Sequence, residues 1–374
     1  MKKLKVMTIL GTRPEIIRLS AVIKKADKYF DHTLVHTGQN WDYTLNEVFF
    51  KDLGLRQPNH YLDSVGKDLG ETMGNIIAKS YDILKQEKPD ALLVLGDTNS
   101  SLSAISAKRL KIPIFHMEAG NRCWDWNVSE MINRKIVDHI ADVNLPYTEN
   151  SRRYLMSEGI DGKTIFVTGS PMTEILRDHM THIETSRVLA ELGLKQSRYI
   201  LVSAHREENI DDEDNFFSLM KSINSIAETY DMPVIYSTHP RSKKFIEQRN
   251  FKFHQLVRSL EPFGFMDYNK LQKNAYCVLS DSGTLSEESA IMGFAGVLIR
   301  TSTERPEVLD KGTIVIGGIK DDTITQAIEL AVSMRDNGEE IVMPPDYLDT
   351  NVSIKVCKII QSYYDIVNKT VWNK

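Results

Sequence analysis

The sequence has little of several features that would each point to a particular class of protein. Its 374 residues include only three cysteines, Cys123, Cys277 and Cys357, which lie far apart and are odd in number. They form no metal-binding or redox motif, so neither a disulfide framework nor a cysteine-rich metal site is expected. Because this cysteine usage suits a reducing compartment, a cytoplasmic location is predicted.

Long apolar runs and excess positive charge are also missing. No apolar stretch approaches the roughly 20 residues of a membrane-spanning helix. The apolar run near the basic N-terminus is too short for a signal peptide and predicts a first β-strand. The formal net charge is −5, whereas sequence-independent nucleic-acid binding depends on a positive field. Membrane and nucleic acid are therefore not expected as partners, although local basic residues can still hold a phosphorylated small molecule.

Both common nucleotide-binding fingerprints, GxGxxG and GxxxxGK[ST], are absent, which leaves a classical dinucleotide site and a P-loop unsupported. The run GTRPE at 11–15 instead follows the first predicted strand and opens a helix. Backbone N–H groups at a helix start favour an anion, and Arg13 and Arg18 can reinforce that preference. A simple strand-to-helix turn with proline in the first turn explains the same residues equally well.

Apolar strands alternate with helices along the chain, and the pattern restarts once. The predicted strands cover 6–10, 33–37, 91–95, 112–117, 143–147, 164–168, 199–203, 233–237, 277–279 and 297–299. Continuous apolar strands between helices are typical of a parallel sheet covered on both faces. The predicted fold class is α/β with two doubly wound domains, over 1–170 and 171–352. A C-terminal helix within 353–374 is expected to pack back on the N-terminal domain.

The segment 116–134, HMEAGNRCWDWNVSEMINR, is the richest in chemistry. A buried-looking strand runs into His116, Glu118 and Arg122, and Glu130 and Arg134 follow. Ligands of open α/β sheets bind at the carboxyl ends of strands. The segment therefore predicts two carboxylates and two guanidinium groups placed for acid/base work on an anionic substrate. A surface pair between Glu130 and Arg134, four residues apart on a helix, is the plainer alternative.

Other strand ends carry polar residues that also allow two interpretations. Asp97 follows an apolar strand through a glycine, but aspartate is also a routine turn residue. His205 heads the polar run HREEN, whereas His239 precedes a proline and can equally be a loop residue. Ser282 is a predicted helix N-cap whose neighbouring N–H groups can hold a diphosphate or simply be capped. Glu288 can bind ribose hydroxyls or merely complement the helix dipole.

Three aromatic residues also stay open at this point. Tyr268 can stack on a base, although most such aromatics belong to the core. Trp124 and Trp126 stand in a polar loop, where they can line a sugar pocket or cover the core or a subunit interface.

Taken together, the motifs resemble one family, the non-hydrolysing UDP-N-acetylglucosamine 2-epimerases. The resemblance covers nearly the whole chain and rests on GTRPEIIRLS (11–20), TGQ (37–39), GDT (96–98), HMEAGNR (116–122), ExxNR (130–134), HREEN (205–209), HP (239–240), DSGTLSEES (281–289) and TERPE (303–307). It implies two Rossmann-like domains facing across a cleft, a GT-B-type architecture, with a UDP-sugar as substrate. It also implies a homodimer, and no metal or other cofactor in catalysis.

The resemblance also implies a role for individual residues. The residues expected to carry or support proton transfer are Asp97, Glu118, Glu130 and His205. The residues expected to bind the substrate are Arg13, Arg18, Gln39, Arg134, His239, Tyr268, Ser282, Gly283, Glu288 and Arg305. The implied reaction removes the C2 proton as UDP leaves C1, passes through a 2-acetamidoglycal, and returns a proton to the opposite face of C2. Two faces require two positioned acid/base groups.

Departures from the common family pattern suggest a particular branch. Asn121 replaces the leucine of HVEAGLR, Ser129 and Met131 replace a proline and a glutamate near the second carboxylate, and Arg18 stands where lysine is usual. The segment looks more like the branch that acts on 6-deoxy-L-sugars. The predicted reaction converts UDP-2-acetamido-2,6-dideoxy-L-talose to UDP-N-acetyl-L-fucosamine for capsule or O-antigen synthesis. A 6-methyl group demands fewer hydrogen bonds than a 6-hydroxyl.

Three alternatives stay open from sequence. The first is epimerisation of UDP-GlcNAc to UDP-ManNAc. The second is a GT-B glycosyltransferase, which would need an acceptor and would not exchange solvent hydrogen into C2. The third is a catalytically dead nucleotide-sugar sensor, which would bind UDP without turnover.

Overall fold

The chain forms two compact units, seen in a computed structural model that describes residues 3–38, 43–123, 130–300 and 303–374. For residues 43–47 and 130 only the backbone is described. Unit 1 comprises 1–178 and 345–374, and unit 2 comprises 179–344. No helix of these described segments is long and apolar enough to cross a membrane.

The first division between the units falls after residue 178, inside a helix, Met172–Thr185. The sequence analysis divides the two domains a few residues earlier, at 170/171. The first turn of this helix is tied to the C-terminal segment. The backbone N–H of Ser353 donates to Glu174 Oε2 at 2.9 Å, and the Ser353 hydroxyl donates to Oε1 at 2.5 Å. The C-terminal segment joins unit 1 already from Pro345, because the Ser170 N–H donates to the Asp346 carbonyl at 3.0 Å.

Unit 1 contains a six-stranded sheet in which every pairing is parallel. Its strands are β1 (Lys5–Leu10), β2 (Asp31–His36), β3 (His60–Tyr61), β4 (Ala91–Leu95), β5 (Ile114–Met117) and β6 (Val143–Leu145). The order across the sheet is β3-β2-β1-β4-β5-β6, which is the Rossmann order. The strand order reverses between β1 and β4, so the crevice for a ligand lies at the carboxyl ends of these strands.

Unit 2 repeats the arrangement with a second parallel sheet. Its strands are β7 (Ile200–Ser203), β8 (Val234–Ser237), β9 (Val257–Leu260), β10 (Cys277–Ser280), β11 (Gly296–Leu298) and β12 (Val315–Ile316). The order β12-β11-β10-β7-β8-β9 is again the Rossmann order when read from β7 as first strand. Its switch point lies between β7 and β10. The two units are therefore both Rossmann-like, as the sequence predicts.

Helices cover the sheets. They are α1 (Arg13–Tyr29), α2 (Tyr43–Asp52), α3 (Leu69–Glu87), α4 (Ser103–Arg109), α5 (Glu130–Ile140), α6 (Glu149–Ser157), α7 (Met172–Thr185), α8 (Val188–Glu191), α9 (Glu207–Ile210), α10 (Glu213–Tyr230), α11 (Pro240–Gln248), α12 (Phe265–Asn274), α13 (Thr284–Met292), α14 (Pro306–Asp310), α15 (Asp321–Asp336) and α16 (Val352–Thr370). In unit 1, α16 packs against α1.

Each unit has its own apolar core between sheet and helices. In unit 1, alternate residues of β1 and β4, such as Met7, Ile9 and Leu92, pack against α3, α4 and α5. In unit 2, Ile200 and Val202 belong to a larger cluster with α10 and α15. Full burial of one such side chain is worth about 1.5–3 kcal/mol, so the strands that carry the site are anchored in the cores.

The predicted strand at 164–168 is wrong. Gly162–Thr164 forms a short 3-10 helix, capped by the Asp161 carboxylate, which accepts from the Lys163 N–H at 3.0 Å. Ile165 makes a single bridge to Asn144 at the edge of the sheet. The N–H groups of Phe166 and Thr168 donate to the carbonyls of Asn144 and Pro146 at 3.0 Å, but no further ladder forms. The apolar residues that suggested a strand are explained by a small separate cluster, in which Ile165 packs with Ala119 and Leu155.

Candidate active site

The turn after β1 is held by a buried carboxyl group. Glu15 is fully buried and accepts hydrogen bonds from the Gly11 N–H at 3.0 Å, the Thr12 hydroxyl at 2.9 Å and the Ser100 hydroxyl. Burial raises the pKa of Glu15, and the hydrogen bonds oppose that rise only in part. Glu15 thus organises the loop that presents Arg13, whose guanidinium carbon lies 5.5 Å from the Phe49 ring centroid.

The turn after β5 places Glu118 in an unusual backbone conformation. Its φ is +59°, a left-handed value that a non-glycine residue rarely adopts and that often marks a functional turn. Its carboxylate pairs with the Arg18 guanidinium, and both side chains are over nine-tenths buried. Gly120, at φ +81°, has no room for a Cβ, which would lie 2.5 Å from the Ser151 carbonyl oxygen. The turn is therefore fixed by close packing against α6.

Asp97 stands beside this turn, two residues after the end of β4. Its carboxylate pairs with Arg134 of α5, and its carbonyl accepts from the Asn133 amide at 3.0 Å. Arg134 also donates to the Asn121 carbonyl at 3.2 Å, and the Asn121 amide lies 3.5 Å from Glu118 Oε1. The structure thus joins four predicted site residues of unit 1, namely Arg18, Asp97, Glu118 and Arg134, in one connected cluster.

Arg122 shares the Asn121 carbonyl with Arg134 and donates to it at 2.8 Å, but its charge is paired away from the cluster. This corrects the expectation that both guanidinium groups of 116–134 face a ligand. Arg122 is 1% exposed and donates to Asp138 Oδ2 at 2.8 Å and to both oxygens of Glu158, at 2.9 and 2.6 Å. Burial disfavours its charge, but the hydrogen bonds and charges of Glu158 and Asp138 outweigh burial and raise the pKa of Arg122. Arg122 is therefore a structural cation.

Asp138, on α5, connects the turns after β4 and β5. It accepts from the Gly120 N–H at 3.2 Å, and its Oδ1 lies 3.0 Å from Nδ1 of His116. The Nε2 atom of His116 in turn donates to the Gly96 carbonyl at 2.7 Å, one residue before Asp97. Burial alone would raise the pKa of Asp138, but the neighbouring His116 and Arg122 outweigh burial and bring that pKa below its ordinary value. Asp138 is thus a buried anion that fixes both turns.

In unit 2, Asp281 organises the turn after β7. Its Oδ2 accepts from the backbone N–H of His205 at 2.8 Å, from that of Arg206 at 2.9 Å and from the Asn209 amide at 3.1 Å. The rings of His205 and His239 stack, with centroids 5.3 Å apart. Nδ1 of His239 accepts from the Arg241 N–H at 3.2 Å, which places the ring proton on Nε2. These two predicted histidines therefore lie together.

Helix α13 begins at Thr284, with Gly283 and not Ser282 as its flanking residue. Gly283 already has helical backbone angles, and the Ser282 hydroxyl oxygen accepts from the Thr284 N–H at 3.4 Å, a long bond of the kind that an N-cap makes. A Cβ placed on Gly283 would lie 3.7 Å from Nε of Arg305, so these two predicted site residues are adjacent. Arg305 is buried and pairs with the buried Glu287 at 3.0 Å.

Helix α12 carries Tyr268 and also contacts Glu288, which lies on α13. Glu288 is 6% exposed, and its Oε2 accepts from the Gln272 amide at 2.6 Å. Tyr268 is half-buried on α12. The remaining predictions fall elsewhere: Gln39, Trp124 and Trp126 lie outside the described residues, as does the side chain of Glu130, which begins α5. Across the described ranges, no group of three or more histidine, cysteine, aspartate or glutamate residues could hold a metal ion.

Two residues that the sequence analysis missed hold predicted site residues in place, namely Asp138 and Gln272. A signal for Asp138 was available. Met131, Arg134 and Asp138 recur at helical spacing, and Met131 is buried, so a carboxylate on that face requires a buried cationic or donor partner. Gln272 carried no comparable signal, because its partner Glu288 lies on another helix.

Comparison with known proteins agrees with this geometry. Residues 23–361 match the family described as UDP-N-acetylglucosamine 2-epimerase. A solved structure of UDP-N-acetylglucosamine 2-epimerase from Rickettsia bellii superposes with a TM-score of 0.92, at 46% identity and full coverage of both chains.

Two curated relatives are similar over most of their length. The UDP-N-acetylglucosamine 2-epimerase of Methanocaldococcus jannaschii is 34% identical over 343 residues, covering 89% of this chain and 94% of that protein. The UDP-2,3-diacetamido-2,3-dideoxy-D-glucuronate 2-epimerase of Pseudomonas aeruginosa is 32% identical over 342 residues, covering 90% and 95%. The chain therefore belongs to the UDP-N-acetylglucosamine 2-epimerase family and is a UDP-sugar 2-epimerase, an isomerase.

Proposed function

We propose that the enzyme inverts C2 of a UDP-N-acetylhexosamine by elimination and re-addition of UDP. A base removes the C2 proton as the C1–O bond to UDP breaks, and a C1=C2 double bond forms. An acid then delivers a proton to the opposite face of C2, and UDP re-adds at C1. The observation that carries this proposal is the cluster in unit 1, where Asp97 and Glu118 follow neighbouring strands and each contacts an arginine.

The arginines favour the role of base for these carboxylates. An adjacent guanidinium favours the ionised form of a carboxylate, which is the form that accepts a proton. Asp97, Glu118 and Glu130 of unit 1, together with His205 of unit 2, are the proposed proton-transfer groups. Which of them serves which face of C2 is left open.

Unit 2 supplies the proposed UDP site. Ser282, Gly283 and Arg305 meet at the start of α13, where backbone N–H groups and a guanidinium favour a diphosphate. Glu288 is proposed to accept from ribose hydroxyls and Tyr268 to stack on the base. His239 and, from unit 1, Arg13, Arg18, Gln39 and Arg134 complete the proposed substrate contacts. Charge stabilisation of this kind also keeps UDP bound while it is detached from the sugar.

The proposed substrate is UDP-2-acetamido-2,6-dideoxy-L-talose, converted to UDP-N-acetyl-L-fucosamine. The support comes from two positions that depart from the common family pattern and lie in or near the cluster of Arg18, Asp97, Glu118 and Arg134, here called the acid/base cluster. Asn121 lies 3.5 Å from Glu118 Oε1, and its Oδ1 accepts from the Ser151 hydroxyl at 2.8 Å. Met131 is buried on α5, one turn before Arg134. These residues change the surroundings of Glu118 and Arg134 in a way that suits a different sugar.

The second candidate is epimerisation of UDP-GlcNAc to UDP-ManNAc. The observation in its favour is that the Rickettsia bellii and Methanocaldococcus jannaschii proteins are both described as UDP-N-acetylglucosamine 2-epimerases. The Pseudomonas aeruginosa relative, whose name gives a diacetamido uronate sugar, indicates that the family includes more than one substrate.

A direct test is proton NMR of the enzyme in D₂O with UDP-N-acetyl-L-fucosamine and, separately, with UDP-GlcNAc. We expect deuterium at C2 and formation of the C2 epimer from the first sugar at a rate at least about tenfold higher than from the second. Tenfold corresponds to about 1.4 kcal/mol of transition-state discrimination. The Asp97→Asn enzyme serves as the inactive control for both sugars.

The other outcomes are equally informative. A faster reaction with UDP-GlcNAc would reject the 6-deoxy-L-sugar and leave an ordinary UDP-GlcNAc 2-epimerase. UDP binding without deuterium incorporation from either sugar would contradict the assigned acid/base roles and favour a glycosyltransferase or a sensor.

Replacing Asn121 with leucine, the residue usual at this position in the family, should change the substrate preference. We expect the ratio of kcat/KM values for the two UDP-sugars to move at least about tenfold towards UDP-GlcNAc, because the amide beside Glu118 is lost. Ser151→Ala is the matched control, since it removes the hydroxyl that binds Asn121 Oδ1 and retains the amide. An unchanged ratio in Asn121→Leu would exclude this residue as a determinant of substrate choice.

We also propose that the enzyme is a cytoplasmic homodimer that supplies surface polysaccharide synthesis. Burial raises the pKa of the Cys277 thiol to about 12 and that of Cys357 to about 11, so neither is a reactive thiol.

Ile132 and Ile136, one turn apart on α5, are exposed and offer apolar area for self-association. Light scattering of the purified protein measures the mass directly.

A further inference from the structure

Helix α12 presents two residues of the proposed nucleoside site on one face. Tyr268 and Gln272 are four residues apart, so their side chains lie one above the other on the helix surface. Tyr268 is half-buried, whereas Gln272 is fully buried. The same helix face can therefore contact the base of the proposed nucleotide through Tyr268 and hold a second binding residue through Gln272.

That second residue is Glu288. The Gln272 amide nitrogen donates to Glu288 Oε2 at 2.6 Å, and Glu288 itself is 6% exposed. A carboxylate only accepts hydrogen bonds, so the NH₂ end of the glutamine must face it, and the orientation of the amide is fixed by chemistry. A hydrogen bond to a charged acceptor in a buried place is among the stronger polar contacts in a protein.

The packing of Gln272 is poorly explained by stability alone. Its Oε1 atom is buried and has no hydrogen-bond partner within the described part of the chain. A buried polar atom without a partner destabilises the folded state, and an apolar side chain of similar size would avoid that penalty. What the glutamine provides in return is a single directed hydrogen bond to Glu288.

We infer that Gln272 is a positioning residue for nucleoside recognition, which holds the Glu288 carboxylate in the orientation that receives the ribose hydroxyls. The inference rests on the proposed function in one respect, namely that Glu288 binds ribose. A glutamate side chain has three rotatable bonds, and its ordering on ligand binding costs conformational entropy. Gln272 removes part of that cost because it orders the carboxylate before the ligand arrives.

The test compares two ligands that differ only in the ribose hydroxyls, UDP and 2′,3′-dideoxy-UDP, by isothermal titration calorimetry. In the unaltered enzyme we expect UDP to bind at least about tenfold more tightly, since hydrogen bonds to a charged group are lost with the hydroxyls. In Gln272→Met, which keeps the volume and removes the amide, we expect this ratio to fall to about threefold or less. Affinity for 2′,3′-dideoxy-UDP should stay within about twofold.

Three further variants complete the design. Glu288→Gln should reduce the ratio at least as much as Gln272→Met. Gln272→Glu is isosteric and sets a second carboxylate against Glu288, so it should also reduce the ratio of UDP to 2′,3′-dideoxy-UDP affinity. It keeps the test possible if the methionine variant does not fold. Gln326→Met is the matched control, because it makes the same chemical change at an exposed position of unit 2.

The possible results separate the inference from its premise. Equal weakening of both ligands in Gln272→Met would indicate a merely structural role and overturn the inference. An unchanged ratio in Gln272→Met and Gln272→Glu, with a reduced ratio in Glu288→Gln, would also overturn it while the ribose role of Glu288 stands. Absence of UDP binding to the unaltered enzyme would instead reject the proposed nucleotide site.

Discussion

Replacement of Glu118 by glutamine is expected to lower kcat by about 10²- to 10⁴-fold and to leave UDP affinity within about threefold of the unaltered enzyme. The range is that of a lost general acid or base and corresponds to about 3–5 kcal/mol of transition-state stabilisation. Glutamine keeps the shape of the side chain but cannot take a proton from C2. The measurements are steady-state turnover, deuterium incorporation at C2 in D₂O and calorimetry with UDP.

The separation of turnover from binding follows from the position of Glu118. It belongs to the acid/base cluster of unit 1, whereas the proposed UDP-binding residues Ser282, Gly283 and Glu288 belong to unit 2. Glu149→Gln is the matched control, because Glu149 is an exposed glutamate of the same unit, at the start of α6. Its turnover should stay within about twofold of normal.

Two results would contradict the role of Glu118. If Glu118→Gln kept more than about a tenth of normal turnover, the carboxylate would not be a proton-transfer group. If UDP affinity fell as far as kcat, the loss would lie in binding or folding and not in chemistry. Arg18 loses its anionic partner in this variant, so a thermal unfolding curve should accompany the kinetics.

The strands that carry the site were accessible from sequence. The predicted strand 91–95 coincides with β4, and the other inner strands were placed within a few residues, because continuous apolar runs are buried on both faces of a parallel sheet. Parallel strands end at one edge, so the polar residues that follow them can be grouped by their positions in the chain. The strand ends place Asp97 and Glu118 at the same edge, whereas their common role in proton transfer is implied by the resemblance to the family.

The edge strands β3, β9 and β12 were not accessible in the same way, whereas the edge strand β6 lies within the predicted strand 143–147. The strand β3 has only two residues, and β9 reads VRSL with no fully buried position. Such segments lack both the apolar run and the clear alternation that identify strands. Residues 164–168 misled in the opposite direction. Ile165 fills a small cluster beside the sheet, and the segment bonds along the edge of the sheet without forming a strand.

Within the site, the sequence identified charged residues but could not assign their partners. Arg122 and Arg134 look equivalent in the chain, yet Arg134 reaches Asp97 while Arg122 turns to Asp138 and Glu158. The difference depends on tertiary packing, which brings α5 and α6 against the turn after β5. Only the folded chain therefore distinguishes the arginine that pairs with Asp97 from the one that pairs with Asp138 and Glu158.

The second large effect is expected for Asp138→Asn, which should reduce the free energy of unfolding of unit 1 by about 3–5 kcal/mol at pH 7. This is the usual cost of removing one partner from a buried ion pair. Asp138 and Arg122 are each about 1% exposed, and their charged groups lie 2.8 Å apart. The asparagine amide would also set its own N–H groups against donors from Gly120 and Arg122. Urea denaturation provides the measurement.

Asp82→Asn is the matched control, since Asp82 is an exposed aspartate on α3 of the same unit. The free energy of unfolding of this variant should stay within about 0.5 kcal/mol of that of the unaltered protein. A loss below about 1 kcal/mol in Asp138→Asn would contradict the role of Asp138 as a buried counter-ion. Turnover should fall as well, because His116 transmits the position of Asp138 to the Gly96 carbonyl next to Asp97.

The pH dependence of this stability difference provides an independent check. His116 and Arg122 bring the folded-state pKa of Asp138 below its ordinary value despite burial, so the ionised carboxylate stabilises the folded state. That contribution is complete above the unfolded-state pKa of about 4 and is lost as the pH falls through the lower folded-state pKa. Asparagine has no such transition. The difference between Asp138→Asn and the unaltered protein should therefore be full at pH 7 and narrow below about pH 4, whereas a difference caused only by the altered shape of the side chain would not change with pH.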